Sequence, residues 1–235
     1  MITVYSRPSW SDNYIGRDYM EFFNYPLDNA LSRTIAEKIL DQILIGDLKP
    51  GDKIVEGTYA DLFQTSRSPV REAIYLLATE GLIERVPRKG AFIRGYSISE
   101  IQDLLDIRNN IEILAAKKIV EPQKNKTLLN EMRSILKKME RCSDQIEYTH
   151  LNYAFHFILI KFSESKIFED MYSKIALPLL RIQGIHFNID TTIEKSKTEH
   201  SEIYEFLKEN KMDELLSLLR KHTEDVIINV RKNVL

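Results

Sequence analysis

Apolar residues recur at helical spacing along most of this chain, and the exception is a short stretch in its first half. There, two runs, Leu82–Val86 and Ala91–Arg94, flank a basic tip and predict a strand pair. Upstream, helices are predicted over about Leu31 to Ile45 and over Thr58 to Gln64, the latter with Tyr59, Leu62 and Phe63 on its apolar side. A third should open at Ser68 as N-cap with Pro69 at the first helical position, and stop at Glu80-Gly81. Downstream, Ser97-Ile98-Ser99-Glu100 reads as a capping box. It opens a helix to about Val120 with Ile101, Leu104, Leu105, Ile111 and Leu114 as its stripe, closed by Glu121-Pro122. Further helices are expected at 126–142, 146–163, 165–187 with a bend near Pro178, 193–209 and 212–233, with no strand after residue 95. The predicted fold class is mainly α: a winged helix-turn-helix domain over 29–95, then an all-α helical bundle over 96–235. Residues 1–28 crowd Tyr5, Trp10, Tyr14, Tyr19, Phe22, Phe23 and Tyr25 into a segment without period. They read equally as a loose extension or as an aromatic arm packing on the bundle or on a partner subunit.

The third helix carries the first candidate chemistry. Arg67 and Arg71 are expected in its first turn, beside the positive end of the helix dipole, a poor place for cations unless an anion arrives. A DNA phosphate or a guanine edge would be such an anion. Short helix, turn, second helix and basic hairpin tip at Arg88-Lys89-Gly90 together give winged helix-turn-helix order. The bland alternative is a solvated helix start and an ordinary basic turn. The net charge of −2 argues against global attraction for nucleic acid, yet Leu62 to Gly95 holds six basic against three acidic residues. Cys142 is the only cysteine, which excludes an intrachain disulfide and fits a reducing cytoplasm. No run approaches the apolar length of a membrane span.

In the bundle, Asn152 and His156 lie four apart and share a helix face, while His200 and His222 sit among apolar residues of the last two helices. Three inward histidines could be satisfied together by one metal ion, or separately as hydrogen-bonded core residues. His150 and His186 match no pattern.

From Ile45-Gly46-Asp47-Leu48-Lys49-Pro50-Gly51 through Ser66-Arg67-Ser68-Pro69-Val70-Arg71-Glu72-Ala73 to Pro87-Arg88-Lys89-Gly90-Ala91, the chain resembles the GntR family of bacterial transcription regulators. The resemblance implies DNA contacts by Arg67, Ser68 and Arg71 in the recognition helix and by Lys89 and Gly90 in the wing. Gly57 stands where many relatives carry a DNA-contacting arginine. The segments Asp106–Glu112, Asn152–His156, Glu199–Ile203 and Leu219–His222 resemble the FadR-type (FCD) C-terminal domain. That implies a divalent metal, zinc before nickel or manganese, held by Asn152, His156, His200 and His222, with a small carboxylate effector clamped by Arg108. The competing reading of Arg108 is an intrahelical pair with Glu112. Asn152 departs from the family's aspartate and leaves the ion's charge unneutralised. The resulting expectation is a cytoplasmic homodimeric regulator, acting as a repressor on a pseudo-palindromic operator in double-stranded DNA, not an enzyme. The rivals are a direct metal sensor and a metal-dependent hydrolase, the latter lacking an evident carboxylate base in the sequence.

Overall fold

The computed structural model describes residues 30–186 and 190–234, so the aromatic-rich segment 1–28 lies outside the described residues. The N-terminal head opens with α1 (Ala30–Ile45), which buries Ile35, Ala36, Ile39, Leu40 and Ile43 on one stripe. That stripe packs on α3 (Arg67–Thr79), which buries Val70, Ala73, Ile74 and Leu77. Between them lie β1 (Lys53–Ile54) and α2 (Glu56–Leu62). The hairpin β2 (Ile83–Val86) and β3 (Gly90–Ile93) pairs antiparallel with Val86 opposite Gly90, and β1 joins its far side in the order β1-β3-β2. The third strand went unpredicted because two residues are too few to display an alternation.

Two details of the head differ from expectation. Ser66, not Ser68, occupies the N-cap position of α3, and its side chain makes no capping hydrogen bond. Pro69 falls at the third helical position, which is permitted because the first four N–H groups of a helix have no intrahelical partner. The proline therefore bounds the helix start without fixing it. Arg67 becomes the first helical residue and Arg71 lies a turn further on, so only Arg67 sits in the first turn. In α2 Tyr59 is buried, its hydroxyl donating to Gln42 at 2.6 Å, whereas Leu62 is exposed.

The bundle begins with α4 (Ile98–Ala116), opened by the expected capping box at Ser97 and Glu100. Ile101 and Leu105 of its predicted stripe are buried, but Leu114 is exposed, because Arg108 and Glu112 take inward positions instead. A 3₁₀ turn (Pro122–Lys124) leads to α5 (Lys126–Arg141), α6 (Gln145–Lys161), α7 (Lys166–Lys174), α8 (Ala176–His186), α9 (Asp190–Lys208) and α10 (Met212–Val234). The single bent helix expected over 165–187 is two helices, separated at Ile175. Pro178 lacks an N–H for the Lys174 carbonyl, and its ring crowds that oxygen, so the helix ends rather than bends.

Head and bundle share apolar contacts. One buried cluster contains Ile39 and Leu77 of the head together with Leu177, Leu180 and Ile182 of α8. At this junction α1 packs on α8, and Gly184 brings its backbone close to the Leu44 carbonyl. A second cluster, around Met132, Phe155, Leu159 and Leu219, fills the far side of α6. The shared cluster predicts that Leu180→Ala, at a position 1% exposed, lowers stability by about 2–5 kcal/mol. Head and bundle should still melt in one calorimetric transition; two separated transitions would show that the head's core stands alone.

Candidate DNA-reading surface and metal centre

The head presents Arg67, Ser68, Arg71, Lys89 and Gly90 to solvent. Arg67, Ser68 and Arg71 come from the start of α3, and Lys89 and Gly90 from the hairpin tip. The tip turns through Arg88 at φ 64° and Gly90 at φ 115°, the latter a left-handed conformation that favours glycine. A Cβ on Gly90 would also stand 3.1 Å from Lys53 Cε, so β1 delivers a further cation beneath the wing. Between wing and recognition helix runs a cleft of about 460 Å³ lined by Glu56, Arg71, Arg85 and Arg88. Glu56 accepts from Arg71 Nε at 2.8 Å. That contact restrains the guanidinium through Nε and does not use its two terminal nitrogens, the pair a guanine edge would engage. Nothing within 4 Å would meet a Cβ on Gly57, so the missing family arginine leaves open space.

In the bundle, α6, α9 and α10 bring His156, His200 and His222 together, with one ring nitrogen of each within 4.8 Å of the others. His156 Nε2 lies 2.9 Å from His200 Nε2. Each Nδ1 faces a partner outside the triad. His222 Nδ1 is 2.6 Å from Glu199, His200 Nδ1 is 3.2 Å from Ser196 Oγ, and His156 Nδ1 is 3.2 Å from Glu112. The last is a close approach rather than an aligned hydrogen bond. For His200 and His222, fixing Nδ1 in this way orients the ring and selects Nε2 for an ion, as carboxylate–histidine pairs do in metal sites.

Burial, reinforced by Arg108, pulls the His156 pKa down to about 4, and burial together with its histidine neighbours holds His200 well below the usual range. Both rings are therefore neutral near pH 7, the form that binds metals. Asn152 stands one turn before His156, 1% exposed, and neither side-chain polar atom has a partner among the described residues. A buried amide left unpaired is costly, which fits a residue whose oxygen completes a coordination sphere. The chain thus offers three imidazoles that could hold a metal ion and an amide placed beside them.

Arg108 is fully buried and donates from Nε to Glu112 Oε1 at 2.7 Å, while its Nη2 has no partner among the described residues. Burial opposes ionisation of both groups, but each offsets it for the other. Glu112 stays below the usual carboxylate range and Arg108 is raised. The Tyr172 hydroxyl donates to the same Glu112 oxygen at 3.0 Å. The intrahelical pair and a clamp are consequently compatible, since only one edge of the guanidinium is used.

The sequence reading missed the carboxylates around the triad. Glu199 adjoins His200 in sequence but bonds His222, and Glu112 reaches His156 from a different helix. Spacing along one helix carries no signal for such cross-helix pairs. Glu56, within the matched head motif, could have been found as the partner of Arg71 had β1 been placed and the short helix expected over Thr58 to Gln64 been started at Glu56.

Residues 31–93 match the model of bacterial regulatory proteins of the gntR family, and residues 103–225 match the FCD domain model. The HTH-type transcriptional regulator YdhC of Bacillus subtilis is 25% identical over 193 residues, covering 81% of this chain and 80% of that protein. The HTH-type transcriptional repressor RspR of Escherichia coli is 22% identical over 213 residues, covering 88% and 90%. A GntR transcriptional regulator from Rhodococcus sp. RHA1 shares the fold, with a TM-score of 0.74 at 18% identity over 87% of this chain and 99% of that one. Among the described residues no helix is long and apolar enough to cross a membrane. With both domain models matched in order, the chain belongs to the GntR family of bacterial regulatory proteins, carries an FCD domain behind its helix-turn-helix, and is a DNA-binding transcription regulator rather than an enzyme.

Proposed function

We propose that the protein is a cytoplasmic, homodimeric repressor whose grip on a pseudo-palindromic operator is set by a small organic acid bound at a metal in the bundle. The observation that carries the effector half is the buried triad, with Nδ1 of His200 and His222 already hydrogen-bonded and that of His156 3.2 Å from Glu112. Asn152, His156, His200 and His222 would hold a divalent ion, zinc before nickel or manganese. When bound, the ion supplies a positive charge that attracts a carboxylate. Arg108 would orient the acid through its unpartnered Nη2, held in aim by Glu112 and Tyr172. RspR, a repressor by name, supports the sign of regulation.

A second copy is supported by exposed apolar side chains on two helices that pack together: Ile107 and Leu114 of α4, and Ile167 and Met171 of α7. These helices also carry Arg108, Glu112 and Tyr172, so an effector would act on the wall of the subunit contact. Its binding would favour one dimer arrangement over another by its difference in affinity for the two. Recognition of two half-sites follows from two-fold symmetry. The decisive experiment selects duplexes from random-sequence DNA with the purified protein. A thermal-shift screen of organic acids on metal-loaded protein follows, where an acid at 100 times its dissociation constant adds about 2.7 kcal/mol.

Arg67→Ala and Arg71→Ala should each weaken binding to the selected duplex; for a guanine-contacting Arg71 the loss is about 1–3 kcal/mol with relaxed preference at one base pair. Lys89→Ala should lose less and flatten the salt dependence. Unchanged affinity in all three variants, measured by fluorescence anisotropy, would remove α3 and the wing from the DNA surface.

Elemental analysis of protein purified without a metal-affinity step should find the ion absent from the His200→Ala, His222→Ala double variant. Full occupancy there would refute the triad. In Asn152→Asp the added carboxylate should slow stripping by chelators and weaken an anionic effector; if neither changes, Asn152 is not a ligand. Arg108→Ala is a poor probe of the clamp, because a buried Glu112 left alone should destabilise the fold by about 3–5 kcal/mol.

A further inference from the structure

At the junction of head and bundle, one buried cation is used by neither the DNA surface nor the triad. Arg181 of α8 is only 7% exposed, yet it reaches out of the bundle. Its Nη1 donates to the backbone carbonyl of Arg94, in the short segment that joins β3 to α4. The same guanidinium lies 5.7 Å from the centre of the Tyr96 ring, over which Arg94 places its own guanidinium at 4.9 Å. Arg94 is held in turn by Glu100 of the α4 capping box at 2.9 Å. The Tyr96 hydroxyl donates to the carbonyl of Gly81, directly behind the recognition helix, at 2.8 Å. Gly81 turns there at φ 76°.

We propose that Arg181 is a positioning residue for DNA reading: from the effector bundle it clamps the linker, and through Tyr96 and Gly81 it fixes the angle at which the recognition helix is presented. The choice of residue supports this. A guanidinium desolvated against a carbonyl and a ring stabilises little that an apolar side chain could not, since the junction already packs Leu177, Leu180 and Ile182. What an apolar side chain lacks is the directed bond to the Arg94 carbonyl. The contacts continue inward. One turn beyond Arg181, the Gly184 carbonyl accepts from Gln145 of α6 at 2.5 Å, and α6 carries Asn152 and His156. Arg181 also lines a groove of about 320 Å³ between head and bundle, with Lys49, Pro50 and Gln145. The proposal rests on the dimeric, operator-binding reading above.

The test compares the full-length wild type with Arg181→Met, which keeps the buried stem, and with Tyr96→Phe, which deletes only the bond to Gly81. Trypsin cleaves after arginine, so cutting at Arg94–Gly95 reports linker release directly. With the melting temperature held within a few degrees, Arg181→Met should speed this cut about tenfold or more, as local opening becomes easier. Against DNA selected by the wild type, both variants should lose about tenfold on the two-half-site duplex and stay within about twofold on a single half-site. Loose heads lower the effective concentration of the second contact and leave the first alone. Unaltered cleavage at Arg94–Gly95 in Arg181→Met overturns the clamp, and so does an equal loss on the full site and the half-site. Failure of the wild type to select any sequence would instead sink the operator reading, and the cleavage measurement would still judge the clamp.

Discussion

The bundle's interior depends on the buried pairing of Arg108 with Glu112. Neither charge tolerates burial alone, and together they are held at 2.7 Å with Tyr172 closing the other side of the shared oxygen. This pair occupies inward positions on α4 that a purely apolar helix would fill with leucine, and so pushes Ile107 and Leu114 outward. It also places a carboxylate beside His156 and a guanidinium edge beside the triad. The charged neighbours of His156 and the apolar outer face of α4 follow from that one choice.

In the head the governing element is α3. Its apolar stripe locks it to α1, so its N-terminal residues project with little freedom. Glu56 then restrains Arg71, converting a long flexible side chain into a directed fork. Affinity for phosphates needs only charge, but discrimination between bases needs the fork held still.

Most of this architecture was legible from local pattern. The capping box at Ser97, the hairpin around Arg88-Lys89-Gly90 and the limits of α1 and α10 all follow from neighbours a few residues apart. The meeting of His156, His200 and His222 was legible only because their motifs resemble a family's; spacing on separate helices cannot show it. What escaped was set by tertiary packing or by a proline whose local effect has more than one outcome. β1 exists because β3 offers an edge, Pro178 breaks a helix that periodicity would have continued, and Ser66 displaces Ser68 because several first-turn positions accept Pro69. Glu199 bonding His222 across 23 residues, and Arg181 reaching the Arg94 carbonyl across 87, leave no trace in any window of sequence.

The continuity of the core across α1 and α8 limits how freely such proteins can be recombined. A chimera joining this head to another bundle at the linker would keep every residue that reads DNA, yet expose the face of α1 that lies on α8. It would also lose the contact between Gly184 and the Leu44 carbonyl at that seam. Heads and bundles of this build should therefore be exchangeable only when α1 travels with a matching α8, and biosensors assembled by swapping sequence at the linker alone would begin with an unmatched seam.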